Sequence, residues 1–328
     1  MPVIPFSNQV NQVGPLLQWG ASELSFLEPA EARLECERIL EFVSSLRVPI
    51  SCRPTGNWDE AIPLERLLRR PDDLLAMTAG SFEAFSELVR RRKERIPLAY
   101  LLGEAYFWDG RFQVEPGVLI PRPETETLIE AFLNHGPFKR EDPFSFLDLG
   151  TGSGIIAITL AGLLPNAKGT ASDISGKALK IARGNVRGTS TPSPSPLPLK
   201  GGEGWGEGER LQWLQADCLF AFGRASFDVI FSNPPYVSSE DWESLEPEVK
   251  CEPPLALDGG KDGLDFYRRV LGELNCLKPG GSLWVEVGAG QAGRVRTLFE
   301  EAGFNETQIF KDLNGIERVV AGKGFING

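Results

Sequence analysis

Asn233, Pro234, Pro235 and Tyr236 follow an apolar run, Phe227-Asp228-Val229-Ile230-Phe231-Ser232. Their types suit one chemical task, which is to hold a planar nitrogen. An amide or aromatic amine nitrogen is a poor nucleophile because its lone pair is delocalised. Two fixed carbonyl oxygens, the Asn233 side chain and the Pro234 backbone, can accept its two N–H bonds. They hold the nitrogen in place and favour the charge that builds as it attacks. Two prolines stiffen the loop and remove backbone donors that would compete. Tyr236 offers a ring face to a flat group. Asn233, Pro234 and Tyr236 are therefore the candidate catalytic residues, and Pro235 joins them in the candidate substrate site. The bland alternative is a proline-rich turn after a strand.

A second cluster reads Asp148-Leu149-Gly150-Thr151-Gly152-Ser153-Gly154. It closes an expected strand and opens a helix, and its glycines let a ligand approach the backbone closely. A Walker loop would end in Gly-Lys-Ser/Thr, which is absent. A dinucleotide loop would carry its third glycine one residue later. Asp-x-Gly-x-Gly-x-Gly is the pattern of S-adenosylmethionine enzymes, so Gly150, Thr151, Gly152, Ser153 and Gly154 are candidate cofactor residues. The alternative is a glycine-rich strand-to-helix turn. Asp173 ends the next strand, where an acid accepts ribose hydroxyls, or else caps the following helix. Asp217 ends the third strand, placed either to meet an adenine amine or to close a turn. Cys218 either lines that pocket or fills the core. Asn233 borders the cofactor as well as the substrate.

The elements that must position these groups follow from the apolar pattern. From Pro143 onward strands and helices alternate. Strands are expected at Phe144–Leu149, Lys168–Asp173, Leu211–Ala216, Phe227–Ser232, Ser282–Val287, Thr307–Phe310 and Arg318–Ala321. Helices are expected over Gly154–Leu164, Lys177–Arg187, Leu264–Leu274 and Ala292–Ala302. Seven strands with intervening helices give an α/β, doubly wound, Rossmann-like sheet. In such a sheet the glycine loop, Asp173, Asp217 and Asn233 share one crevice at the carboxyl strand ends, and that coincidence outweighs each bland alternative.

Ahead of the sheet, residues 1–95 read as a small helical bundle. Cys36, Ile39, Leu40 and Val43 form one helical stripe, and Phe82, Phe85 and Val89 another. Pro54, Gly56, Pro63 and Pro71 punctuate the stretch between. Residues 96–120 read as a β-hairpin linker, with short strands around Asp109-Gly110. Residues 121–328 form the third part, opened by Pro121-Arg122-Pro123-Glu124-Thr125-Glu126, with a helix starting at Glu124. Residues 188–209 are Pro/Ser-rich and then Gly/Glu-rich, which predicts a disordered insertion; a docking segment centred on Trp205 is the alternative.

Composition narrows the function. The 328 residues carry a formal net charge of −11, which disfavours a phosphate backbone as the main partner. Arg90-Arg91-Arg92-Lys93 with Arg95 is the one dense basic run; it reads as a solvated helix end, or as a contact for an acidic partner. Cys36, Cys52, Cys218, Cys251 and Cys276 are scattered, which argues against a disulfide framework or zinc site and suits a reducing cytosol. His135 is the single histidine, so no His-based metal centre is expected. No apolar run reaches the roughly 18–20 residues of a membrane span, and no secretory signal is read at the amino terminus.

On these residues the chain resembles the class I S-adenosylmethionine-dependent methyltransferases, and more narrowly the release factor glutamine methyltransferase family. The most specific stretches are Val118 through Glu126 and Phe231 through Val237. Glu252-Pro253, Ala256-Leu257, Asp262-Gly263-Leu264, Asp312 through Gly315 and Arg318-Val319-Val320 support it. The resemblance implies methylation of the side-chain amide of the Gly-Gly-Gln glutamine in peptide chain release factors. It implies that Gly150 to Gly154 hold the methionine part of the cofactor, Asp173 its ribose, and Asp217 with Cys218 its adenine. Asn233 and Pro234 would fix the glutamine amide and Tyr236 would pack on it. The chain departs from the family at Ile96-Pro97-Leu98-Ala99, at Cys218 and at Ile316. Two alternatives use the same loop chemistry: a ribosomal-protein glutamine methyltransferase, and an adenine-N6 nucleic-acid methyltransferase, which would need a basic groove.

Overall fold

The structure is a computed structural model that describes residues 13–45, 79–188 and 210–326. Cys52, Pro54, Gly56, Pro63, Pro71, the first twelve residues and all of the expected 188–209 insertion except the helical Gly188 lie outside the described residues. The chain forms two compact units, Met1–Leu102 and Gly103–Gly328.

In the first unit, helices α1 (Val13–Glu23), α2 (Pro29–Ser45), α3 (Ala79–Lys93) and α4 (Leu98–Leu102) surround one apolar core. The stripe of Cys36, Ile39, Leu40 and Val43 is buried there, with Phe85 and Val89 of α3. Gly20 lets α1 close on α2, because a Cβ there would sit 2.8 Å from Cys36 Sγ. The basic run is not a free cationic patch. Arg92 is buried, its guanidinium donates to Glu35 at 2.6 and 3.1 Å, and it lies over Phe26. Arg90 pairs with Glu87 and Glu94, Lys93 pairs with Glu23, and Arg95 lies over Phe26. Of the run read as a solvated helix end, Arg90, Arg91 and Lys93 are exposed in the last turn of α3, and Arg92 alone turns into the core.

The second unit opens with the hairpin, β1 (Glu104–Phe107) and β2 (Gly110–Gln113). Its turn is displaced from the Asp109-Gly110 expectation. Gly110 already pairs with Phe107, so Trp108 and Asp109 make the turn and Trp108 takes the left-handed backbone at φ 54°. Trp108 N–H donates to Glu126 Oε1 at 2.6 Å, which holds that strained residue in place. A 3₁₀ turn, Pro123–Thr125, leads into α5 (Glu126–His135). His135 ends α5, exposed and 5.0 Å from the Phe310 ring.

The remaining elements are β3 (Ser145–Leu149), α6 (Ile155–Leu163), β4 (Lys168–Asp173), α7 (Gly176–Gly188), β5 (Leu211–Gln215), β6 (Phe227–Ser232), α8 (Asp265–Leu271), β7 (Leu277–Glu286), α9 (Ala292–Glu301), β8 (Phe304–Lys311) and β9 (Glu317–Phe325). Seven strands form one sheet in the order β5-β4-β3-β6-β7-β9-β8. The first five are parallel, and β9 runs antiparallel between β7 and β8.

Side chains alternate across this sheet, so each strand feeds two cores. Phe146, Val229, Phe231 and Trp284 enter the layer with α5 and α6, while Leu147, Ile230, Leu283 and Val285 enter the layer with α8 and α9. Strands buried on both faces must be apolar nearly throughout, as β3 and β6 are. Phe132 of α5 meets Phe231 and Trp284 edge-on, at 4.7 and 5.4 Å between ring centroids. Burying each such side chain stabilises the unit by about 1.5–3 kcal/mol. The chain starts the sheet at β3, builds outward through β4 and β5, then returns to β6 on the other side. That reversal opens a crevice at the carboxyl ends of β3 and β6. No helix among the described residues is long and apolar enough to cross a membrane.

Candidate active site

The glycine loop follows β3 at one side of this crevice. Gly150, Gly152 and Gly154 have φ of 75°, 57° and 87°, a region other residues enter at a cost. Gly150 and Thr151 N–H both donate to Ser172 O at 2.9 Å, which ties the loop to the end of β4. A Cβ at Gly150 or Gly152 would meet open space, whereas one at Gly154 would meet Ile158 and Ala182. The first two glycines therefore leave the backbone open to a ligand, and the third lets α6 close on α7. Thr151 and Ser153 turn inward and are buried. The Thr151 hydroxyl donates to Asp148, so the loop offers a ligand its backbone rather than these side chains.

Asp148 is fully buried beneath the loop. Its Oδ2 accepts from Thr151 and from Ala157 N–H at 3.0 Å, and its Oδ1 has no partner. Burial pushes its carboxyl up to about 7 against those two hydrogen bonds. Asp173 accepts from Gly152 N–H at 2.9 Å and from Ser175 N–H at 2.8 Å. Burial raises its pKa despite these donors. It does not cap α7. Ser175 does, since its Oγ accepts from Ala178 N–H at 3.1 Å. Asp173 is left as the acid joining the ends of β3 and β4.

Asp217 and Cys218 stand differently. Asp217 is exposed and accepts from Arg269 Nη1 at 2.8 Å, and that guanidinium lowers its pKa. Cys218 is buried in the core with Leu147, Leu149 and Leu219, where burial raises its thiol pKa. Its φ of 55° marks the bend that turns Asp217 outward.

Asn233 and Tyr236 lie across the crevice, after β6. Asn233 Nδ2 donates to Thr125 Oγ1 at 2.9 Å, while its Oδ1 is buried and accepts no hydrogen bond. Tyr236 donates its hydroxyl to Glu286 Oε1 at 3.3 Å, and its backbone oxygen accepts from Gln291 Nε2 at 2.8 Å. Burial and then the neighbouring Glu286 raise the Tyr236 pKa, so the phenol stays protonated. Three glycines let the chain crowd Tyr236: a Cβ at Gly259 or Gly263 would fall 2.8 or 2.4 Å from its backbone atoms, and one at Gly288 would fall 3.1 Å from its ring. Pro234 is buried and Pro235 partly so.

Arg122, Leu119, Asn233, Tyr236, Val249 and Leu257 are among the residues lining a cavity of 170 Å³. The Pro121–Glu126 segment contributes Arg122 to this lining, and the stretch around it is held at three points. Glu252, itself buried, accepts from Ile120 N–H at 2.9 Å and pairs with Arg122. Thr125 meets Asn233, and Glu126 holds the hairpin turn. Asn185 of α7 joins the hairpin to the glycine loop: its Oδ1 accepts from Gln113 N–H at 2.6 Å and its Nδ2 donates to Ser153 O at 2.9 Å. Asp262 ties α8 to α9 through Arg268 and Arg294, which fixes Gly263 against Tyr236.

Thr125 and Glu286 touch the candidate catalytic residues, yet the sequence pattern alone does not single them out. A glutamate closing an otherwise apolar strand is the one local signal. No group of three or more histidine, cysteine, aspartate or glutamate side chains able to hold a metal occurs among the described residues. Chemically, the crevice offers a neutral, oriented oxygen and a flat ring, opposite a loop of open backbone.

Comparison with known proteins places the chain. A family model described as PrmC N-terminal domain matches residues 15–103, and one described as Methyltransferase small domain matches residues 124–246. A release factor glutamine methyltransferase of Caulobacter vibrioides is 38% identical over 253 residues, covering 76% of this chain and 81% of that protein. One of Geobacter sulfurreducens is 36% identical over 311 residues, covering 94% of this chain and 95% of that protein. One of Cereibacter sphaeroides is 39% identical over 264 residues, covering 80% and 85%.

Proposed function

Because the chain belongs to the release factor glutamine methyltransferase family, we propose that it transfers a methyl group from S-adenosyl-L-methionine to the side-chain amide nitrogen of the Gly-Gly-Gln glutamine in peptide chain release factors. The residues after β3 fit that cofactor: Gly150 and Gly152 leave open space where a side chain would stand, and Asp173 brings an acid beside them. Gly150 to Gly154 take its methionine part and Asp173 its ribose. Asp217 reaches its adenine by leaving Arg269, and Cys218 backs that pocket from the core. When bound, the cofactor supplies an electrophilic methyl on a good leaving group.

The observation that carries the site assignment is the buried, unpartnered Asn233 Oδ1. A buried acceptor without a donor costs about 1–3 kcal/mol, and a substrate N–H at that place relieves the cost. Asn233 Oδ1 and the Pro234 carbonyl take the two N–H bonds of the glutamine amide, turn its lone pair toward the methyl and stabilise the positive charge that develops. Pro235 keeps the loop stiff, Tyr236 packs on the amide plane, and Asn233 also borders the cofactor. No covalent enzyme intermediate is needed, and the extra proton leaves afterwards to solvent.

The helical residues up to about 95 dock the release factor, the hairpin of 96–120 links, and 121–328 carry out the transfer. The partner is a protein rather than nucleic acid or membrane, in keeping with the net charge of −11 and the internally paired basic run. The working compartment is the cytoplasm, where release factors act. The test is methyl transfer from labelled cofactor to a purified class I release factor, with peptide mass mapping. One added methyl on the Gly-Gly-Gln glutamine, absent when that glutamine is alanine, is the expected outcome. Cofactor binding without transfer would move the assignment to a ribosomal-protein glutamine or an adenine amine.

A further inference from the structure

We propose that Arg122 is a specificity-determining residue that binds a main-chain carbonyl oxygen of the segment carrying the target glutamine, and that the buried Glu252 positions it. The proposal rests on the assignment of Asn233 to the glutamine amide. Local sequence sets where the Arg122 side chain starts. Pro123 disfavours helical backbone at the residue before it. Arg122 accordingly stands extended, at φ −106° and ψ 135°, and its side chain makes no cap to the 3₁₀ turn that follows. It joins instead the lining of the 170 Å³ cavity, together with Asn233 and Tyr236. The rest of that lining is aliphatic, Leu119, Leu245 and Val249 among it, so Arg122 is its one charged side chain. Glu252 holds the guanidinium from the protein side. It is 2% exposed, and its two oxygens divide the work: Oε1 accepts from Arg122 Nη2 and Oε2 from Ile120 N–H at 2.9 Å. One carboxylate thus fixes both the approach of the chain and the side chain it delivers. Burial raises the Glu252 pKa, and Arg122 with the Ile120 N–H opposes that rise.

A guanidinium carries five N–H donors in a planar fork. Glu252 takes one, and the Arg122 side chain stays 31% exposed, so donors remain for a ligand. An unpaired guanidinium would select an anion. Opposite a buried carboxylate its charge is balanced, and directed donors are what is left, which suits a neutral carbonyl oxygen. A glutamine in a peptide offers two kinds. A donor on the side-chain amide oxygen would draw the nitrogen lone pair further into the carbonyl and oppose its attack. A donor on a main-chain oxygen holds the peptide and leaves the reacting nitrogen to Asn233. The aliphatic walls around Arg122 strengthen such a bond by lowering the local dielectric. The bond is equally strong before and during transfer, so its energy enters KM and not kcat.

The test measures KM and kcat for a release factor, and cofactor Kd, in full-length wild type, in Arg122→Lys and in a double variant, Arg122→Met with Glu252→Gln. Arg122→Met alone would leave a buried charge without its partner. The second change removes that charge and keeps an acceptor for Ile120 N–H. The double variant is expected to raise KM about tenfold, the fold-change of one hydrogen bond from a charged donor, with kcat within roughly twofold and cofactor Kd unchanged. Arg122→Lys keeps the charge opposite Glu252 but not the planar fork, so KM rises by less. A double variant that binds cofactor and keeps the wild-type KM, or that loses only kcat, overturns the proposal. If the double variant binds no cofactor, Arg122→Lys decides, and an unchanged KM there overturns it. If wild type methylates no release factor, the functional assignment fails instead, and Arg122 is decided by nuclear magnetic resonance with N-acetylglutamine N-methylamide as the probe. A shift of the Arg122 Nε–H resonance on titration supports the contact, and no shift up to the solubility limit refutes it.

Discussion

Asparagine carries a donor and an acceptor on one short planar group. At position 233 the donor is spent on Thr125 and the acceptor is kept. This division makes Asn233→Ala informative, because the variant removes the acceptor and leaves the glycine loop untouched. Transfer is expected to fall by about 10²–10³, the usual cost of losing one preorganised partner of a developing charge. Cofactor affinity, read by calorimetry, should hold. A variant turning over at the wild-type rate would falsify the role given to Asn233. Tyr236 separates ring from hydroxyl in the same way. Its bond to Glu286 is long, at 3.3 Å, so Tyr236→Phe is expected to cost under about 1 kcal/mol in urea unfolding and to keep most activity. Tyr236→Ala removes the ring face and should raise KM for the release factor. Equal KM values for the two variants would mean that the ring does not pack on substrate.

Elements, not residues, bring these groups together. Thr125 precedes α5, Asn233 follows β6 and Glu286 ends β7, so their meeting depends on the β3-β6-β7 strand order. The segment containing Gly263 shows how tightly the surrounding turns are fitted. Its φ is 76°, and a Cβ there would stand 2.4 Å from both the Tyr236 backbone oxygen and Gln291 Nε2. Gly263→Ala is expected to destabilise the fold by about 1–3 kcal/mol and to lower the transfer rate by pushing Tyr236 out of line. Denaturation midpoint and rate would be measured together, and unchanged values for both would contradict this fit. The sequence made the elements legible where local pattern decides them. The largely apolar β3 and β6 read as strands, and the left-handed turn after β3 was legible from its glycines. What it hid is settled through space. Glu286 reads as the polar end of a strand until the Tyr236 hydroxyl is placed against it. Arg92 reads as one more surface cation until Glu35 and Phe26 enclose it. The insertion of β9 between β7 and β8 is a choice of partner, which no local pattern of a strand records.

At the scale of the whole molecule, the fold buries two carboxyls near the carboxyl ends of β3 and β7 and therefore ties stability to pH. Asp148 and Glu286 are each fully buried with one oxygen unpartnered, and burial pushes each carboxyl up to about 7 from ordinary values of 3.8 and 4.5. A raised folded-state pKa means the folded chain binds the proton more tightly than the unfolded chain. The stability this confers is fully present below the unfolded pKa and is lost as pH rises through the folded one. A tenfold difference in proton affinity between the two states corresponds to about 1.4 kcal/mol, so the two sites together remove on the order of a few kcal/mol between roughly pH 4.5 and 8. Asp217, Asp262 and Asp312, whose arginine partners and hydrogen bonds hold their pKa values low, act in the opposite sense and weaken the fold only in stronger acid. Asp217 is exposed, which makes its share of that loss small. Unfolding free energy from urea titrations should therefore decline from about pH 5 to about pH 8 in wild type. Glu286→Gln, which cannot ionise there, should decline less steeply, even if its stability in mild acid is lower. Parallel slopes for the two proteins would show that Glu286 does not titrate in this window. Glu286 is thus a carboxyl whose ionisation the fold resists, and the pH interval over which it ionises is the one over which stability is lost.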